Sequence, residues 1–162
     1  MIHETIEGFA AALPRMGAVA GLDLGTRTIG VAVSDTGRMV ASPLATIRRS
    51  KFTADAAELD RMLESRGIVG LILGLPRHMD GSEGPRAQSA RAFARNLDRR
   101  APLTIAFWDE RLSTVAAERA LLEADTTRKR RAEVIDHVAA SYILQGALDR
   151  MHRIASQTGD ET

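Results

Sequence analysis

The chain has 162 residues, 22 Lys and Arg against 21 Asp and Glu, a formal net charge of +1 and no cysteine, so disulfides, zinc–thiolate sites and cysteine nucleophiles are excluded. Its length suits one domain, and 44% hydrophobic with 27% charged residues is ordinary for a soluble globular protein. No apolar run reaches the roughly 18 residues of a membrane helix, and the early acidic MIHETIEGFAAALPRMG is not a signal peptide, so a cytoplasmic protein without a membrane partner is expected.

Ile2, Ile6, Phe9 and Leu13 recur at helical spacing and predict a short amphipathic helix ending at Pro14. Residues 1–16 are therefore expected to be an N-terminal extension, 17–154 the domain proper and 155–162 a flexible tail. The first strand of the domain is expected at Ala18–Leu24 and the second at Thr28–Ser34, joined by the turn Gly25-Thr26-Arg27. Asp35-Thr36-Gly37 turns the chain again into a third strand, Met39–Ile47, which Pro43 marks as an edge or a bulge.

The period then changes. Phe52, Ala56, Leu59, Met62 and Leu63 share one face of a helix closed by Gly67, and Ile68–Leu73 is a continuous apolar run, as in a strand covered on both faces. A loop over Pro76–Gly84 leads to a helix at Pro85–Arg100 and a fifth strand at Pro102–Trp108. Ser113 can cap a helix running to Ala124, and Ala132–Arg153 predicts a long last helix. The order βββαβαβαα implies a five-stranded mixed sheet, a meander followed by parallel strands with right-handed crossovers, covered by helices.

Three acids stand out by context. Asp23 lies in an otherwise apolar strand, where a carboxylate is costly unless something pairs with it. Asp109-Glu110 ends the fifth strand, and Asp136 interrupts the apolar face of the last helix. Strand ends of α/β sheets are where ligand sites gather, and converging acids repel unless a cation sits among them. A hard divalent ion such as Mg²⁺ suits such oxygen ligands, and two such ions can support phosphodiester cleavage. The alternative is that Asp23 and Asp109 cap turns while Asp136 pairs with an arginine. Basic residues cluster at Arg48–Lys51, at Arg128–Arg131 and at Arg86, Arg91 and Arg95, which makes a basic groove plausible. Phe93 and Trp108 read as core.

GLDLGTRTIGVAVSD (21–35), GLPRHMDGSEGPRAQ (74–88), DERLST (109–114) and VIDHVAASYILQGALD (134–149), in this order, resemble the YqgF/RuvX family. That family is described as pre-16S ribosomal RNA nucleases and as Holliday-junction-resolvase-like. The resemblance implies an RNase H-like fold and a metal-dependent nuclease, acting at the 5′ end of pre-16S rRNA or on branched DNA. It assigns Asp23, Glu110 and Asp136 as catalytic residues and ligands of one or two Mg²⁺ or Mn²⁺ ions. Asp109 is the less suitable member of its pair, because successive strand residues face opposite ways. A second helix acid, as in related resolvases, would fall at Ala139.

Nucleic-acid contacts are expected from Arg27, Arg86, Arg111, Arg128, Lys129 and Arg130, mainly through phosphates and therefore weakened by salt. Arg111 could hold a scissile phosphate or fix Glu110 by ion pairing. Expected partners are precursor rRNA or branched DNA and a ribosomal subunit precursor, with the chain a monomer or homodimer. Two further readings compete with a nuclease. The turn at Asp23–Thr26 resembles the phosphate loop of actin-like ATPases, although these need two lobes. A non-catalytic RNA- or ribosome-binding factor is the other, but it would gain nothing from acids facing phosphate.

Overall fold

The structure, a computed structural model, describes residues 1–112 and 128–159, with side chains of the last helix described from His137 onward. Its elements in chain order are β1 (Ile2–His3), α1 (Ile6–Ala12), β2 (Ala18–Leu24), β3 (Thr28–Ser34), β4 (Ala41–Arg48), α2 (Phe52–Ser65), β5 (Ile68–Leu75), α3 (Pro85–Arg100), β6 (Ile105–Asp109), a 3₁₀ turn at Glu110–Leu112 and α4 (Arg128–Gly159). The expected Ser113–Ala124 helix lies outside the described residues. No helix among the described residues is long and apolar enough to cross a membrane.

The strands form one mixed sheet in the order β1-β6-β5-β2-β3-β4. β2, β3 and β4 are the antiparallel meander, whereas β5 pairs parallel with both β2 and β6. The register between β3 and β4 shifts where Val31 faces Ala45 and Ala32 faces Pro43, so Leu44 is the extra residue of a bulge. A proline that cannot donate to the ladder is tolerated at this edge for that reason.

The sheet has six strands where the sequence predicts five. The sixth, β1, pairs parallel with β6 through Ile2–Ile105 and His3–Ala106. Two residues carry no periodicity, and their partner is over a hundred positions away, so nothing local in the chain announces the strand.

Side-chain alternation sends each strand's apolar residues to two opposite cores. One face packs Leu22, Val31, Leu73 and Phe107 against Leu59 and Leu63 of α2 and Ala90, Phe93 and Leu97 of α3. The other packs Val19, Ile72, Ala106 and Trp108 against Phe9 of α1 and Ala140, Ile143, Leu144 and Leu148 of α4. Phe93 and Trp108 are core residues as expected, at 5% and 4% exposure. Asp23, an odd-numbered neighbour of Val19 and Gly21 along β2, therefore belongs to the face that α4 covers.

Candidate active site

Asp23 faces Gly30 across the β2–β3 ladder, and Gly30 faces Thr46 in β4. On the other side, one step beyond the Leu22–Leu73 pair, Gly74 of β5 is level with Asp23, and Gly74 in turn faces Trp108. One row of the sheet thus reads Thr46, Gly30, Asp23, Gly74, Trp108. The acid is flanked on both sides by residues without side chains.

The space above Gly74 is used. Glu110 Oε1 lies 2.9 Å from where a Cβ on Gly74 would be, with the Ile143 side chain of α4 beside it. Glu110 begins the 3₁₀ turn that follows β6, so the turn carries its carboxylate back over the sheet instead of onward past its edge. Adjacent strands lie about 4.8 Å apart, so Asp23 and Glu110 are neighbours across the width of one glycine-bearing strand.

Asp23 is only 3% exposed. The other buried acid among the described residues, Asp55, is explained by its surroundings, since it accepts from the Ser50 amide at 3.0 Å and the Ser50 hydroxyl at 3.2 Å at the start of α2. Asp23 lies one strand over from the Glu110 carboxylate on Gly74. Two hard oxygen donors held over neighbouring strands suit a divalent cation, which removes their mutual repulsion and accepts further oxygens from water and phosphate. The donor set therefore fits the metal that the sequence implies.

The side chain of Asp136 lies outside the described residues, as do those of Arg128, Lys129 and Arg130. Its place on α4 is nevertheless informative. His137, the next residue, has Nδ1 3.0 Å from Thr46 Oγ1, in the same sheet row as Asp23. Ala140, one turn further on, approaches Gly21 so closely that its carbonyl oxygen is 3.1 Å from a Cβ built there. This turn of α4 is therefore pinned at the level of Asp23. Ala139 is buried among apolar side chains and offers no further oxygen ligand. His137, half-buried on Thr46, is a wall of the site.

The arginines divide by what they already hold. Arg111 donates to Asp109 with Nη2–Oδ2 at 2.7 Å and to the Met79 carbonyl at 3.3 Å. Of the two roles expected for it, fixing Glu110 is thus corrected: the partner is the neighbouring acid, because Asp109 faces away from Glu110 at the strand end. Hydrogen bonds from Arg111 hold the Asp109 carboxyl below its ordinary range, against the opposing effect of partial burial. Arg91, part of an expected basic cluster, is occupied by Glu83 at 2.5 Å and Glu4 at 3.0 Å and stacks over Phe107. Arg27, in the β2–β3 turn, and Arg86, at the second position of α3, are exposed at the rim. Arg49 braces the first of these turns by donating to the Gly25 and Arg27 carbonyls.

Gly74 is the functional position that the sequence reading overlooks. A glycine inside an apolar strand marks a close approach by backbone, ligand or side chain, and that signal was present in the run Ile68–Leu75.

Residues 17–150 match the RuvX family, described as Holliday junction resolvase. A relative from Paracoccus denitrificans, provisionally named a pre-16S rRNA nuclease, is 76% identical over 93% of this chain and 96% of its own. Another from Cereibacter sphaeroides strain KD131, with the same provisional name, is 69% identical over 98% of this chain and 99% of its own. Among solved structures, Thermus thermophilus RuvC in complex with a Holliday junction substrate has a TM-score of 0.50 and 16% identity over 88% of this chain and 96% of that one. That likeness is one of fold, and it accords with the RNase H-like sheet implied by the sequence. With its family match and its relatives in agreement, the chain belongs to the RuvX family of resolvase-like nucleases.

Proposed function

We propose that this nuclease hydrolyses a phosphodiester bond at the 5′ end of pre-16S rRNA in a metal-dependent reaction, as a step of ribosome biogenesis in the cytoplasm. The observation that carries the proposal is the Glu110 carboxylate seated on Gly74, the strand position level with Asp23. The substrate follows from the names of the relatives, which match nearly the whole chain.

Asp23, Glu110 and Asp136 would hold one or two Mg²⁺ or Mn²⁺ ions, which when bound supply an activated water and stabilise the leaving oxygen. The chain's own part is positioning. The sheet would fix the Asp23 carboxylate, the 3₁₀ turn that of Glu110, and α4 would bring in Asp136. Ile143 and Trp108 keep the floor of the site apolar, which strengthens electrostatic contacts made above it. Arg27 and Arg86 at the rim would engage the flanking phosphates, with Arg128, Lys129 and Arg130 at the start of α4 as further candidates.

The test compares cleavage of a pre-16S rRNA fragment and of a four-way DNA junction, with Mg²⁺, with Mn²⁺ and with chelator. Cleavage of the RNA, lost with chelator and lowered at least about 100-fold by Asp136→Asn with the fold intact, is the expected result. Unchanged cleavage by that variant would sink the three-acid site, and cleavage of the junction alone would shift the substrate to branched DNA.

A further inference from the structure

Met79 is 92% exposed, the most exposed large apolar side chain among the described residues. Single exposed apolar residues are ordinary on protein surfaces, so exposure alone says nothing. What sets Met79 apart is the loop that holds it. His78 and Ser82 are joined by a backbone hydrogen bond of 2.9 Å, and the Gly81 amide donates to the His78 carbonyl at 2.9 Å. Asp80 accepts from the Ser82 amide at 2.9 Å and from its hydroxyl at 2.6 Å. Arg77 and Glu83 form a bridge across the loop's base, and Arg91 clamps Glu83 from α3.

The tip is also tied to the catalytic strand. Arg111 holds the Met79 carbonyl with one nitrogen and Asp109 with another, and Asp109 directly precedes Glu110. The loop is thus a braced platform that keeps one thioether side chain in water at a fixed place relative to the acids. Of its own acids, Glu83 is engaged by Arg91, while Asp80, which accepts from Ser82, is exposed beside Met79, as is Arg86 at the start of α3. An unbranched apolar side chain held out from a braced loop suits the stacked bases of a nucleic acid, into which methionine is one of the side chains that wedge.

We propose that Met79 is a positioning residue that enters the base stack beside the scissile phosphate, opens one step and sets the register of cleavage. This rests on the nuclease reading above. The opened step exposes the backbone to the carboxylates, and the wedge's fixed distance from Glu110 selects which phosphate is reached.

The experiment places 2-aminopurine at successive positions near the cleavage site in the RNA fragment and in the four-way junction, and follows its fluorescence and single-turnover cleavage together. Wild type should raise the fluorescence at one step. Met79→Ala and Met79→Gln should abolish that rise and slow cleavage about 10- to 100-fold, since unstacking a step is a substantial part of the barrier they no longer lower. Met79→Leu should restore both, and a mismatch built into that step should rescue Met79→Ala. Equal cleavage and equal fluorescence for all variants would overturn the proposal. So would slower cleavage that the mismatch does not rescue, or a Met79→Ala defect confined to protein partner binding or self-association. A wild type that unstacks the step in a Met79-dependent way without cleaving counts against the nuclease reading alone, and one that binds neither nucleic acid overturns both.

Discussion

A Cβ at position 74 would lie 2.6 Å from Ile143 Cδ1 as well as against the Glu110 carboxylate, so the smallest possible side chain meets two walls at once. Gly74→Ala should cost about 1–3 kcal/mol by overpacking, read from urea unfolding. It should also abolish most cleavage by displacing Glu110 from Asp23. The two effects separate in a double variant. Ile143→Ala removes the clash with α4 but not the one with the carboxylate, so Gly74→Ala should cost less stability in an Ile143→Ala background than in wild type, while the double variant remains inactive. Recovery of cleavage in the double variant would show that Gly74 serves helix packing and not the site.

The loop over Pro76–Gly84 makes a prediction at the scale of an element. The hydrogen bond from Arg91, helped by the charges of Arg91 and Arg77, holds the Glu83 carboxyl below its ordinary value of 4.5 against some desolvation and the charge of Asp109. A carboxyl lowered in the folded state stabilises fully above its unfolded value and ceases to as pH falls through the folded one. Wild type should therefore exceed Glu83→Gln in stability by on the order of 1 kcal/mol at pH 7, since the pair is only partly buried. The gap should close below about pH 4.5. Urea midpoints of both proteins across that range check it, and a gap that widens on acidification would contradict the sign.

The elements show how far sequence carries and where it stops. β2, β3, α2 and α3 were legible because each has a clean period and a marked end, such as Gly67 after α2 or Pro85 opening α3. Glu110 was preferred over Asp109 by strand alternation. The structure adds that a 3₁₀ turn, which alternation does not describe, is what returns Glu110 over the sheet. The pairings Arg111–Asp109 and Arg91–Glu4 were not legible, because which charge meets which depends on how distant elements dock. Gly74 needed its neighbours across two strands before its purpose could be read.

At the scale of the whole molecule, α4 must stay seated on the sheet for its turn at 137–140 to keep level with Asp23, and the first thirteen residues help to seat it. β1 extends the sheet beyond β6, α1 follows, and Phe9 is fully buried in the core that α4 covers, its ring seated on Gly70 of β5. Glu7 adds an ion pair of 2.6 Å to Arg150 of α4, though at an exposed surface this contributes little. The weight therefore falls on Phe9. Phe9→Ala should lower unfolding stability by about 3–5 kcal/mol, a large part of the total a domain of this size has available. Glu7→Gln should change it by less than about 1 kcal/mol. Because Phe9 is remote from the carboxylates, Phe9→Ala should keep its cleavage rate well below its melting temperature and lose it early on heating. A loss under about 1 kcal/mol would mean that α4 is held by the sheet alone, and that the N-terminal segment only covers a face that is already stable.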